Sequence, residues 1–165
     1  MKRQNKTFTP FLLNEAGMGG VVFLEYLDGL GVDNEKVPDI DYQRSKLSVS
    51  LAPHSLYSCS HELIEKIILQ NKKKSRKTSI HWLESNEEIE FLQMKKGPLE
   101  SLLRRVWPKL NVERSNILGI KRFEQLFFGR DVVLVHALET NKEMIQAYQR
   151  KGVKIVLCPR SNYFI

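Results

Sequence analysis

Thr78-Ser79-Ile80-His81-Trp82-Leu83-Glu84-Ser85-Asn86-Glu87-Glu88 decides the fold, because this short run joins a strand to a helix. Thr78 to Leu83 is short, apolar and partly β-branched, the composition of a strand buried between layers. Ser85 followed three residues later by Glu88 is the capping-box signature of a helix N-terminus, and the helix it opens is expected to stop near Gly97-Pro98. A buried strand feeding directly into a helix is a βα unit, the building block of parallel sheets.

The unit recurs on both sides. Val21 to Tyr26, Lys46 to Leu51, Asp131 to His136 and Val153 to Cys158 are further short apolar runs. Between them lie helix patterns with readable ends. Ser60 can cap a helix through Leu63, Ile64, Ile67 and Ile68, with Glu62 in its first turn, where the macrodipole favours an acid. Pro98 can open another, with Leu99, Leu102, Leu103 and Val106 on one face. Asn116 to Phe128 reads as a helix, and Thr140-Asn141-Lys142-Glu143 is a second capping box whose helix Gly152 is placed to end. Leu27 to Arg44 is the longest loop-like stretch, and residues 1 to 16 carry little signal.

Length limits what these units can build. The chain has 165 residues, one domain's worth, whereas a complete eight-stranded α/β barrel takes about 250. Its 42% hydrophobic and 27% charged residues are ordinary globular usage, which excludes a disordered chain. No run approaches the roughly 18 apolar residues of a membrane span, so no membrane role is expected. Cys59 and Cys158 have no Cys-x-x-Cys spacing, so neither a disulfide framework nor a cysteine zinc knuckle is expected, and a reducing cytoplasm fits. The net charge of +7 concentrates in Asn71-Lys72-Lys73-Lys74-Ser75-Arg76-Lys77, which lacks interleaved aromatic residues to stack bases. That cluster reads as a solvated helix end and loop, and no nucleic-acid partner is expected.

In parallel βα architectures the functional site forms at the carboxyl ends of the strands. The second strand runs into Ala52-Pro53-His54, the third reaches His81 and continues to Glu84, and the fourth ends at His136. Three of the four histidines thus hold equivalent positions on three successive strands, while His61 falls in the first turn of a helix. A single strand-end histidine is ordinarily a satisfied structural residue. Three in register converge on one pocket, where neutral imidazoles can bind a divalent metal or polarise a substrate. Glu84, three residues past His81, can reach the same pocket as a proton carrier.

Four segments carry a family resemblance: Leu51-Ala52-Pro53-His54-Ser55-Leu56-Tyr57-Ser58, Ser79-Ile80-His81-Trp82-Leu83-Glu84-Ser85, Val133-Leu134-Val135-His136-Ala137 and Val156-Leu157-Cys158-Pro159-Arg160-Ser161-Asn162. In this order they resemble consecutive motifs of the amidohydrolase superfamily, closest to its metal-dependent nucleobase and nucleoside deaminases and chlorohydrolases. The likeness covers about residues 20 to 165. It implies an α/β fold, a partial TIM (β/α)8 barrel of about strands three to seven, as one incomplete barrel domain over 1 to 165.

The resemblance also implies roles. His81 matches the metal ligand of the fifth barrel strand. Glu84 matches the catalytic acid that carries a proton from the attacking water to a ring nitrogen and on to the leaving amine. His136 matches the catalytic sixth-strand histidine that orients the attacking oxygen, and His54 matches a substrate-binding histidine. Asn162 is read as shaping the last loop. The implied reaction is hydrolytic deamination of a small molecule, a purine, pyrimidine or related ring, with zinc, or else iron, as the metal.

Two departures temper this. The family's His-x-His pair has no counterpart, since no two histidines are two apart, and its eighth-strand aspartate would lie beyond Ile165. The isolated chain is therefore expected to be inactive, to bind zinc weakly, and to self-associate through open barrel edges. The alternative reading is a non-catalytic or degenerate fragment of such an enzyme.

Overall fold

The computed structural model describes residues 8–33, 37–39, 43–44, 46–129 and 131–163. Parts of the loop expected over Leu27 to Arg44, namely 34–36 and 40–42, lie outside the described residues. Gly20–Tyr26 (β1), Gln43–Arg44 (β2) and Leu47–Pro53 (β3) form one sheet, and Thr78–Trp82 (β4), Val132–His136 (β5) and Lys154–Val156 (β6) form a second. Apart from β2, which pairs antiparallel with the start of β3, all ladders are parallel. All five expected strands are thus present and follow one another in order.

The two sheets join at their carboxyl ends. The His81 N–H donates to the His54 carbonyl at 2.9 Å, and the His54 N–H donates to the Tyr26 carbonyl at 2.9 Å. Tyr26, His54 and His81 are thereby laced side by side, and Trp82 continues the series through its carbonyl, which accepts the Ala137 N–H at 2.9 Å. A parallel sheet curved in this way, with helices outside, is a partial (β/α)8 barrel.

Phe8–Glu15 (α1), His61–Lys73 (α2), Asn86–Met94 (α3), Pro98–Val106 (α4), Ile120–Phe127 (α5), Lys142–Lys151 (α6) and Pro159–Asn162 (α7) complete the described elements. Ser60 caps α2 as expected, its side chain accepting from the Leu63 N–H at 3.2 Å, and Gly152 ends α6 in the left-handed region at φ 72°. Other ends differ from the sequence reading. Asn141, not Thr140, caps α6 by accepting the Met144 N–H, while the Thr140 hydroxyl donates to the Ala137 carbonyl. Helix α3 closes at Met94 because Lys95 already turns left-handed at φ 56°. Helix α5 begins at Ile120, with Gly119 as its N-cap and residues 116–119 forming no regular element. On α4 only Leu103 is buried, and Leu102 and Val106 of the expected apolar face remain exposed.

The main core lies between the sheet and its helices, centred on Val49, Leu51, Ile64, Ile67, Ile80, Trp82, Phe123 and Leu134. Two of its large aromatic chains with polar groups, Trp82 and Tyr148, are satisfied. The Trp82 indole N–H donates to the Tyr148 hydroxyl at 3.2 Å, which donates to Glu124 at 2.7 Å. A second, smaller core of Leu30, Phe91, Leu103, Leu110 and Val112 sits under α3 and α4, so the β4-to-β5 connection carries packing of its own.

Candidate active site

The barrel's carboxyl end gathers the histidines because each closes, or directly follows, a strand of one laced series. His81 is the fourth residue of β4 and lies opposite Val135, His136 ends β5 opposite Trp82, and His54 follows β3. The chain bends sharply there. Leu83, His136 and Ala137 hold φ values of 46°, 74° and 54°, a region that costs a non-glycine residue about 1–3 kcal/mol and is met chiefly at functional sites.

His81 Nδ1 lies 3.1 Å from His136 Nε2, and the two rings stack with centroids 5.1 Å apart. Glu84 Oε1 lies 3.1 Å from the same His136 nitrogen. The other His136 nitrogen, Nδ1, is 2.9 Å from Asn162 Oδ1, so the last described helix fixes the ring rather than merely shaping a loop. The His54 ring sits 5.0 Å from that of His81, with its Nδ1 held by Ser58 Oγ at 2.6 Å and Ser55 Oγ at 3.1 Å. Those two hydroxyls are themselves 2.8 Å apart. His61 belongs to neither donor cluster and heads α2, its N–H donating to the Asn116 carbonyl.

Environment separates the imidazoles. Burial holds His54 below the ordinary imidazole value and favours its neutral form. A hydrogen bond to the Glu25 carboxylate, which accepts from His81 Nε2 at 3.1 Å, holds His81 above it.

Sequence reasoning missed two carboxylates. Glu25 is one, and its signal was present: a single acid near the end of the otherwise apolar run Val21-Val22-Phe23-Leu24-Glu25, at the mouth of the barrel. Glu88 is the other, read only as a capping residue. It is 1% exposed, and its Oε2 accepts the Glu84 N–H at 2.9 Å, while Oε1 has no partner. Burial pushes its carboxyl up to about 7.

Two overlapping donor sets result. Glu25, His54 and His81 each offer a ligand atom within 4.8 Å of the others, and so do His81, Glu84 and His136. Two imidazoles with one carboxylate is a donor set suited to zinc, so the residues present fit a divalent metal.

No family model matches the chain. Over 161 residues, 92% of its length, the chain is 28% identical to a Helicobacter pylori protein named adenosine deaminase, and the match spans 39% of that protein. The solved structure of Helicobacter pylori aminofutalosine deaminase in complex with methylthio-coformycin superposes with a TM-score of 0.79 at 27% identity, covering 96% of this chain and 41% of that one. An adenosine deaminase from Xanthomonas campestris with bound zinc is alike in fold, with a TM-score of 0.64 at 16% identity, over 96% of this chain and 34% of that one. The chain therefore spans less than half the length of each. These likenesses to deaminases in sequence and in fold accord with the resemblance to the amidohydrolase superfamily that the four strand-end motifs carry.

Proposed function

We propose that this chain is the proton-handling portion of a hydrolytic deaminase acting on a nucleoside or nucleobase-like ring. The observation that carries the reading is the meeting of Glu84 Oε1 and His81 Nδ1 on one nitrogen, His136 Nε2, each at 3.1 Å. A carboxylate so placed can take a proton from the attacking water and pass it across a short gap to a ring nitrogen, then pass the second proton of that oxygen to the departing amine. His136, clamped from behind by Asn162, orients the oxygen that attacks the ring carbon. His54, pinned by Ser55 and Ser58, lines the substrate opening. A divalent metal, zinc by its donor preference, is proposed on His81, where it would supply activation of water at neutral pH.

The same reading treats the chain as one incomplete barrel domain. Supporting this, β1 and β6 each have a strand partner on one side only among the described residues, and the matched relatives are more than twice as long. Additional strands would have to complete the site before turnover, and self-association through those edges is proposed for the chain by itself. A small-molecule substrate without nucleic acid, in a cytoplasmic setting where free Cys59 and Cys158 persist, accords with this. No helix of the described residues is long and apolar enough to cross a membrane.

The test adds adenine-type and guanine-type nucleosides to the zinc-supplemented chain and follows ammonia release together with the imidazole NMR signals of His54, His81 and His136. Shifts of those three signals, with His61 unmoved, are expected. Absence of any shift at millimolar nucleoside would sink the substrate class. Ammonia release lost in Glu84→Gln would make the chain an enzyme without further strands.

A further inference from the structure

The direction in which the Glu84 side chain leaves the backbone is set by the peptide unit before it, and that unit is held on both edges. Its carbonyl oxygen, on Leu83, accepts the Glu139 N–H at 3.0 Å, and its N–H, on Glu84, donates to Glu88 Oε2 at 2.9 Å. The two partners come from separate elements, Glu139 from the turn between β5 and α6 and Glu88 from the first turn of α3. A planar unit fixed on opposite edges cannot turn about the bonds that flank it. Leu83 also stands at φ 46°, a conformation that persists in a non-glycine residue only where its surroundings restrain it.

Glu88 makes its half of this clamp from a costly place. It is buried while its neighbour Glu87 is exposed, and taking a carboxyl group out of water is unfavourable unless something compensates. Heading the helix does not account for the contact. The glutamate of a capping box reaches back to the N–H of the N-cap residue, here Ser85, whereas Glu88 reaches past Ser85 to Glu84. A carboxyl oxygen accepts an N–H whether or not the group carries a proton, so the clamp holds in either state. At the far end of the Glu84 side chain, Oε1 meets His136 Nε2 at 3.1 Å, and Asn162 holds the opposite side of that ring. One chain of contacts therefore runs from Glu88 through the Glu84 backbone to the His136 imidazole.

We propose that Glu88 is a positioning residue for Glu84: by holding the Leu83–Glu84 peptide against Glu139, it aims the Glu84 carboxylate at His136. The inference rests on the reading of Glu84 as the proton carrier and adds the residue that sets its direction. Without an acceptor at position 88 the peptide is held on its Leu83 edge alone, and the Glu84 side chain leaves the strand at a different angle. A displacement of about 1 Å at a reacting group lowers a rate by about 100-fold.

The test reads the contact between Glu84 and His136 without reference to turnover, through the NMR signal of the His136 Nε2 nitrogen. In the parent chain Glu84→Gln should shift that signal, and the size of the shift measures the contact. Glu88→Leu, close in volume but without an acceptor, should abolish most of the response to Glu84→Gln. Glu88→Asp draws the carboxylate back by one methylene and should do the same, which gives a second reading if Glu88→Leu is poorly folded. Glu88→Gln keeps an acceptor oxygen in place and should restore the parent's response. The Glu84 amide proton should follow the same pattern, moving upfield in Glu88→Leu and Glu88→Asp and staying in place in Glu88→Gln. Far-UV circular dichroism accompanies each variant, and the His61 signal should move in none of them. A role confined to heading α3 would lower the unfolding midpoint and leave the His136 response intact. A response of parent size in folded Glu88→Leu or Glu88→Asp, or its loss in Glu88→Gln, would therefore overturn this inference while leaving Glu84 the proton carrier. A parent chain whose His136 signal ignores Glu84→Gln would overturn it together with the contact behind the deaminase reading, whose substrate class the nucleoside-induced imidazole shifts test separately.

Discussion

The Glu88 carboxylate reaches back one turn to accept the backbone N–H of Glu84, and it does so in a position 1% exposed to solvent. The contact ties the start of α3 to the residue proposed to move protons, and it leaves the second Glu88 oxygen buried without a partner. Ionising that group is costly, which is why its carboxyl rises from the ordinary 4.5 to about 7.

The first prediction follows from linkage. A carboxyl with a raised folded-state pKa binds its proton more tightly in the folded chain than in the unfolded one, so its contribution is full below about 4.5 and is lost as pH rises through about 7. Between those limits the loss amounts to about 3 kcal/mol. Urea denaturation at pH 5 and pH 8 should show that fall in the parent chain. In Glu88→Gln it should be absent, and an unchanged slope in that variant would sink the assignment.

The second concerns Asn71, whose side chain donates to the Leu51 carbonyl at 2.7 Å and accepts the Leu51 N–H at 3.2 Å. A further contact at 2.9 Å reaches the Thr78 hydroxyl, so the end of α2 is stitched to β3 and β4 together. Asn71→Ala should destabilise the chain by about 2–4 kcal/mol because it strands buried backbone groups. Lys72→Ala, one residue along on the surface, should stay within about 0.5 kcal/mol of the parent. Thermal or urea unfolding distinguishes them.

Asn71 also marks where sequence reading stopped. The strands, their order, and the convergence of His54, His81, Glu84 and His136 were legible because apolar period and strand-end position are local properties of the chain. Asn71 was grouped with the solvated basic run beside it, since nothing local distinguishes an amide facing water from one facing two strands. Glu25 and Glu88 were missed for the same reason: the partner of one lies 56 residues away, and the partner of the other is a backbone N–H. Capping by Asn141 rather than Thr140 was a shift of one residue between two suitable caps, which tertiary contact of Thr140 with Ala137 decides.

The third prediction is a coupled pair. Gly29 has φ 58°, and a Cβ built there would lie 2.6 Å from the Trp107 ring, whose N–H is held by Asp33 at 3.0 Å. Gly29→Ala should therefore destabilise by about 2–4 kcal/mol through both the left-handed backbone and the clash. Trimming the ring in Gly29→Ala with Trp107→Leu removes the clash only. The double variant should be at least about 1 kcal/mol more stable than the sum of the two single changes implies. Strict additivity in a denaturation cycle would show that the ring is not what Gly29 accommodates.

The last prediction concerns the edge at β6. That strand pairs with β5 on one side and, among the described residues, with nothing on the other, and Val156 and Leu157 are 45% and 65% exposed. An unpaired parallel edge presents backbone donors and acceptors to any second strand, and apolar side chains beside it add area to the contact. In a closed barrel such an edge would not exist. The chain by itself should therefore associate in a concentration-dependent way, visible as a rising weight-average mass in sedimentation velocity. Val156→Lys with Leu157→Lys should reduce that association, since a charged edge resists pairing, while leaving the circular dichroism spectrum unchanged. The same substitution at exposed Val21 on β1 separates the two edges: a larger effect there would make β1 the principal contact. A parent chain that remains monomeric at high micromolar concentration would show that both edges are protected and that the barrel portion is self-sufficient.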